Sequence, residues 1–202
     1  MEYKNLEIVI LAAGNSSRMR TSKQLLDIGG VTLLEKTVAC AANSKIPNVT
    51  VVLGSNSQMH IKNIKGKQVQ ILTNPDWALG IGNTLKFSMK KLLQNNINTQ
   101  GVLFMVCDQP RISTVHINNL IELFLKEKPV AVASRYKETY GVPALFDRIA
   151  FSSLLSINDS SGAKAVLQKL KTNLKFVPFD GGEIDLDTPE EYERFMSQNK
   201  KS

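Results

Sequence analysis

The sequence predicts an α/β protein, a three-layer α/β/α domain wound in both directions around a mostly parallel sheet. Strand-like and helix-like hydrophobic periods alternate along the chain. Several strand-like runs are apolar at nearly every position, as from Ile8 to Ile10 and from Val102 to Cys107, the pattern of strands covered on both faces. No linker, repeat or low-complexity tract interrupts the alternation, so the 202 residues suit one domain spanning 1–202.

The elements follow in order. Residues 7–12 read as the first strand. Residues 31–43 carry Leu34, Val38 and Ala41 at helical spacing. Two apolar runs, 49–54 and 69–73, predict the next strands. Residues 84–94 place Leu85, Ser88, Met89 and Leu92 on one helical face. The strongest strand run is 102–107, and the stripe Ile117, Leu120, Ile121 and Phe124 follows as a helix. Strand patterns resume at 130–134 and, more loosely, at 141–146 and 174–179, with a short helix at 161–170 between the last two. Thr188-Pro189-Glu190-Glu191 has the form of a capping box with proline at the first helical position, so a last helix starts there and runs to about Gln198. Residues 95–100 read as a polar loop.

Composition narrows the class. The formal charge is +7, from 25 Lys and Arg against 18 Asp and Glu, but the lysines are spread along the chain and aromatics are only 6%. A nucleic-acid binder would concentrate the charge and interleave aromatic residues, so a solvated basic surface is the favoured reading and no nucleic-acid partner is expected. Cys40 and Cys107 stand far apart and outside any C-x-x-C, which favours small apolar positions over a disulfide or a metal. His60 and His116 have no partner at ligand spacing, so zinc is not expected. The charged first residues and the short apolar run after them match neither a secretion signal nor a membrane span; a cytoplasmic location is the expectation.

The chemistry concentrates where strands end. Directly after the first strand comes Ala12-Ala13-Gly14, and Arg18 and Lys23 follow within the same loop. Small side chains let backbone N–H groups approach a ligand, and the two cations add positive charge, which is the chemistry of a polyphosphate cradle. The loop lacks both G-x-x-x-x-G-K-[ST] and the G-x-G-x-x-G of dinucleotide sites. Asp108 sits at the end of the strongest strand, followed by Pro110, where a carboxylate can hold a hard cation such as Mg²⁺. Alone, it is equally compatible with the start of a turn. Asp185 and Asp187 offer a second carboxylate; Thr188 already occupies the capping position, which leaves Asp187 freer than an ordinary capping residue. Asn74 to Thr84, with Gly80 and Gly82 ahead of a helix, reads as a pocket wall for a base and ribose, though alone it is only a glycine-containing loop.

Together these segments resemble the molybdenum cofactor nucleotidyltransferases and related small NTP transferases. The resemblance covers L-A-A-G-x-S-x-R-M-x-x-x-K from Leu11 to Lys23, N-P-x-[WY]-x-x-G from Asn74 to Gly80, [GC]-D-x-P from Cys107 to Pro110, G-x-P-x-L-F from Gly141 to Phe146 and D-x-D-T-P-E from Asp185 to Glu190. The first and last are the specific ones. The resemblance implies a Rossmann-like nucleotidyltransferase fold. It implies that Ala12, Ala13, Gly14, Arg18 and Lys23 bind nucleotide, with Asn74, Gly80 and Thr84 lining the pocket. It assigns Asp108 to magnesium, with Asp187 ahead of Asp185 as second ligand, and places Gly141 and Pro143 near the acceptor. Arg18, Lys23 and Asp108 carry the catalytic expectation. The chain departs from the pattern at Arg20, where glycine is usual, and at 158–164, where G-D-x-G-A-R reads N-D-S-S-G-A-K. Lysine does not grip phosphate with the two parallel donors of arginine, so the second departure bears on the acceptor.

The reaction expected is transfer of CMP from CTP to a phosphorylated acceptor, molybdopterin first, with release of pyrophosphate. Ala-Ala-Gly resembles the cytidylyl branch, and a Cβ at Ala13 leaves less room for a purine. The alternatives are a nucleotidyltransferase acting on a sugar or polyol phosphate, a non-catalytic carrier that inserts molybdenum cofactor into an oxidoreductase client, and a nicotinamide-dependent oxidoreductase, which the missing glycine triad disfavours.

Overall fold

The computed structural model describes residues 2–19, 21–170 and 173–199; Arg20, singled out above, lies outside them. The first strand, β1 (Leu6–Ala12), is flanked in parallel by β2 (Asn48–Leu53) and β4 (Gly101–Val106). The seven-stranded sheet has the order β3-β2-β1-β4-β6-β5-β7, with β3 at Gln70–Thr73, β5 at Ala131–Tyr136, β6 at Thr139–Asp147 and β7 at Leu174–Pro178. It is mostly parallel, as expected. β6 runs antiparallel to both β4 and β5, because a two-residue turn with Lys137 at φ 48° joins β5 to β6, and so short a connection can only reverse the chain.

Strand alternation distributes the apolar side chains between two layers. Leu6, Ile8, Ile10 and Ala12 join a core with α1 (Leu33–Ala42), α2 (Ser57–Ile64), α4 (Thr114–Glu127) and α7 (Pro189–Asn199). Val9 and Leu11 point the other way, into a core with α3 (Ile81–Asn95), α5 (Phe151–Leu155) and α6 (Ala163–Lys169). The helical stripes named from the sequence are the buried faces: Leu34, Val38 and Ala41 in α1, and Leu85, Ser88, Met89 and Leu92 in α3.

Two helices exceed the sequence expectation. α2 buries only His60 and Ile64, too few apolar positions to set a period, and α5 is a single short helix that buries Phe151 and Leu154. α3 begins at Ile81, ahead of the expected Thr84, because the Asp159 carbonyl accepts from the N–H groups of Gly82 and Asn83 at 2.7 and 3.3 Å. α7 starts as predicted: Glu191 Oε2 accepts from Thr188 N at 2.9 Å, and Thr188 Oγ1 accepts from Glu191 N at 3.3 Å. Residues 184–187, which carry Asp185 and Asp187, form no strand. Among the described residues no helix is long and apolar enough to cross a membrane.

Candidate active site

The site lies beyond the carboxyl ends of β1 and β4, neighbours in the sheet, where an open α/β sheet receives its ligands. Gln24, almost wholly buried, shapes the loop after β1. Its Nε2 donates to the carbonyls of Ala12 and Gly14 at 3.1 and 3.0 Å, and its Oε1 accepts from Ser16 Oγ at 3.2 Å and Ser22 Oγ at 2.6 Å. Ser16, in the left-handed region at φ 56°, accepts at Oγ from the Lys23 N–H at 2.9 Å. The loop therefore folds around a buried amide to which the sequence reading assigned no role; a lone glutamine among apolar residues carries no pattern. A Cβ at Gly14 would meet nothing within 4 Å, so glycine is not demanded by packing there and leaves the opening clear.

Four of the singled-out charged groups converge. Lys23 Nζ lies 2.7 Å from Asp108 Oδ2 and 2.9 Å from Asp187 Oδ1, and Arg18 Nη2 lies 2.6 Å from Asp187 Oδ2. Burial works to lower the Lys23 pKa, but the charges of Asp108 and Asp187 and their hydrogen bonds outweigh it, and the net direction is upward. For Asp187 burial works to raise the pKa; the Lys23 contact, then Arg18, outweighs it and holds the carboxyl below its usual value. Asp185 lacks this partnership, and burial, then the charges of Asp108 and Asp187, push it up to about 7. The Leu186 N–H donates to the Asp108 carbonyl at 3.0 Å, and the Leu186 side chain is wholly buried, which ties this acidic segment to the end of β4.

A cleft of about 300 Å³ opens beside these charges. Ala12, Ala13, Gly14, Lys23, Gly80, Thr84 and Asp108, all singled out in the sequence, line it, and Trp77, Ile81 and Gln24 line it in addition. Asn74 is placed differently: it is wholly buried, and its Nδ2 donates to Asn83 Oδ1 and Thr84 Oγ1 at 3.1 Å each, so it braces the wall from behind. Arg18 and Asp187 stand outside the lining. Gly141 and Pro143 are buried in β6. The Pro143 carbonyl accepts from Ser134 Oγ at 2.6 Å, and Ser134 Oγ in turn lies 2.7 Å from His116 Nε2. Gln109 ties this strand to the site, its Nε2 donating to the carbonyls of Val142 and Gly182 at 3.2 and 2.9 Å. The divergent segment 158–161 packs on the start of α3; a Cβ at Gly82 would come within 2.0 Å of the Asn158 carbonyl oxygen. Lys164 donates to Thr139 Oγ1 at 2.8 Å. Cys107 is buried and Cys40 half-buried, and both are free thiols.

The donor chemistry suits a hard divalent cation. Asp108 and Asp187 present oxygens to one shared point, now taken by an ammonium, and Mg²⁺ or Mn²⁺ binds through one or two carboxylates while keeping waters and phosphate oxygens for the rest. Among the described residues no group of three His, Cys, Asp or Glu side chains is arranged as an all-protein cage.

The family model for the MobA-like NTP transferase domain matches residues 8–174, and the chain belongs to that family. Among curated proteins, it is 26% identical over 196 residues to the purine catabolism protein PucB of Bacillus subtilis, covering 92% of this chain and 93% of that one. It is 25% identical to the bifunctional protein GlmU of Francisella tularensis subsp. novicida, over 82% of this chain but only 35% of GlmU. Among solved structures, the Rv0371c homologue from Mycobacterium sp. strain JC1 superposes with a TM-score of 0.83 at 24% identity, covering 98% of both chains. The manganese complex of Rv0371c from Mycobacterium tuberculosis does so with 0.77 at 21%, covering 95% of this chain and 98% of that one. A cytidylyltransferase from Leptospira borgpetersenii gives 0.75 at 16%, covering 98% and 88%.

Proposed function

We propose that the protein transfers a nucleotidyl group, CMP from CTP, to a phosphorylated acceptor of the molybdopterin type and releases pyrophosphate. One observation carries this reading: Lys23, Asp108 and Asp187 meet at the mouth of the cleft bounded by the Ala12–Gly14 loop. An ionised phosphate oxygen of the acceptor attacks the α-phosphorus in line, and pyrophosphate leaves. No general base is required, because a phosphate monoester is already ionised at neutral pH, so catalysis rests on positioning and charge neutralisation. Arg18 and Lys23 stabilise the charge that grows on the α,β-bridging oxygen. Asp108 and Asp187 are the residues to hold Mg²⁺, which when bound neutralises phosphate charge and polarises the α-phosphoryl group. The manganese complex of Rv0371c supports a divalent ion in this fold. Ala13 lines the cleft of about 300 Å³, and a methyl there in place of a glycine hydrogen supports the pyrimidine nucleotide.

A second reading, a sugar or polyol phosphate as acceptor, draws on the departure at 158–164, where Lys164 stands in place of arginine and contacts Thr139. A molybdenum oxidoreductase client belongs only to the first. Pyrophosphate release from CTP or GTP with Mg²⁺, measured against purified pterin cofactor and a panel of sugar and polyol phosphates, decides between them. Release with CTP and pterin is expected; CTP binding without release under any acceptor would overturn the enzymatic reading in favour of a carrier.

A further inference from the structure

His60 belongs to no metal site and to no step of the proposed chemistry, yet it is wholly buried and its Nε2 lies 2.7 Å from Ser22 Oγ. The proton on each member of this contact can be placed. Gln24 Nε2 donates to two backbone carbonyls, which fixes the orientation of the amide and leaves Oε1 facing Ser22. Ser22 Oγ and Gln24 Oε1 are 2.6 Å apart, and two oxygens that close require a hydrogen between them. The amide oxygen has none to give, so the Ser22 hydroxyl donates to it. Ser22 must then accept from His60, which carries its proton on Nε2. The Nδ1 atom is buried without a partner, which fits a bare lone pair better than a stranded N–H. Burial also pushes the His60 pKa down, which keeps the ring neutral.

We propose that His60 is a positioning residue for the nucleotide loop, the first donor of a relay that runs from its Nε2–H through Ser22 and Gln24 to the carbonyls of Ala12 and Gly14. The inference rests on the reading that this loop holds a nucleoside triphosphate. Its consequence follows from peptide geometry. In a trans peptide the C=O and the following N–H point in opposite directions. Turning the Ala12 and Gly14 carbonyls onto Gln24 therefore turns the N–H groups of Ala13 and Asn15 away from it, and both residues line the cleft. The relay thus presents donors to a phosphate. It also holds the chain around Lys23, whose N–H donates to Ser16 Oγ, itself bonded to Gln24. The segment ahead of α2 adds a contact, with the Ser55 N–H donating to the Ala13 carbonyl at 3.3 Å.

The test uses the protein's single tryptophan, Trp77, which lines the cleft and reports nucleotide binding by fluorescence. CTP and GTP are titrated with Mg²⁺ into the wild type, His60→Leu and His60→Gln. Glutamine keeps an N–H near the position of Nε2; leucine keeps bulk and loses the donor. His60→Leu is expected to weaken CTP binding about tenfold and His60→Gln no more than about threefold. Leucine binding as well as wild type, or glutamine binding as poorly as leucine, would overturn the positioning role, since a packing role makes no such distinction. If the wild type binds neither nucleotide, the nucleotide reading itself fails. Nitrogen NMR of the wild-type imidazole checks the relay without any variant: the Nε2–H tautomer is expected, and the Nδ1–H tautomer reverses the donor order and ends the proposal.

Discussion

Lys23 is the residue on which the site turns. Its ammonium bridges two carboxylates: Asp108 and Asp187 together favour its charged state, and it in turn holds the Asp187 carboxyl ionised. That arrangement sets the Lys23 and Arg18 charges against those of Asp108 and Asp187, and under the proposed chemistry it places a cation where phosphate charge develops. Lys23→Ala is therefore expected to lower turnover by about 100-fold, with a smaller effect on the nucleotide dissociation constant, because the lysine acts most where charge grows in the transition state. Steady-state kinetics and fluorescence titration separate the two quantities, and weaker nucleotide binding with unchanged turnover would assign Lys23 to ground-state binding. Asp108→Asn is expected to lower turnover by at least about 100-fold while the melting temperature moves by only a few degrees; near-normal turnover would remove Asp108 from the chemistry. Arg18, Lys23 and Asp108 can be picked out of the sequence because they follow apolar strands, the first two in a loop of small residues and Asp108 just after β4. Gln24 and His60 cannot, since the Gln24 bonds to the Ala12 and Gly14 carbonyls and the His60 bond to Ser22 reach partners 10 to 38 residues away and follow no sequence period. Asn74 was legible as a member of the wall, but only the fold reveals that it faces inward.

At the scale of elements, the wall of the cleft depends on the end of β2. A Cβ at Gly54 would come within 2.5 Å of Trp77 Cβ and 2.6 Å of the Ala13 carbonyl oxygen, contacts that only a hydrogen tolerates. Gly54 therefore lets the tryptophan turn and the nucleotide loop close on each other. Gly54→Ala is expected to cost about 1–3 kcal/mol of stability, to shift Trp77 emission and to weaken nucleotide binding. Chemical unfolding and the emission spectrum check this; a variant unchanged in both would show that the two loops have slack. The same logic explains which elements could be read in advance. α1, α3 and α4 bury long apolar stripes, and the central strands are apolar throughout, so their patterns are dictated by two-sided or one-sided burial. α2 buries two side chains and takes its place from contacts with α1, which leave no period in the sequence. The reversal of β6 depends on the turn at Lys137, a residue without the glycine or asparagine signal of a tight hairpin.

The whole molecule divides its labour along the strands. The chemistry gathers at the carboxyl ends, while the amino end of β1 carries Glu7, paired in register with Asn48 and Val102 and buried in the sheet. Its side chain accepts a long hydrogen bond from Asn96 Nδ2 at 3.5 Å, and burial pushes its pKa up to about 7. In the unfolded chain the same carboxyl titrates near 4.5, the ordinary value of a solvated glutamate. Between those two values the folded protein holds a proton that the unfolded chain has released, so stability falls as pH rises from about 4.5 through about 7 and stays reduced above it. The full penalty is at most about 3 kcal/mol, the free energy of a shift of that size. Glu7→Gln replaces the protonated acid with a neutral group of the same shape. It is expected to leave stability near pH 4 unchanged and to raise it by about 1–3 kcal/mol at pH 8. Turnover should stay as it was, because the substitution lies at the opposite end of the strand from the cleft. Urea unfolding at the two pH values checks the first part and pyrophosphate release the second. An equal effect at both pH values would mean that Glu7 ionises freely in the folded state, through water reaching the amino end of the sheet.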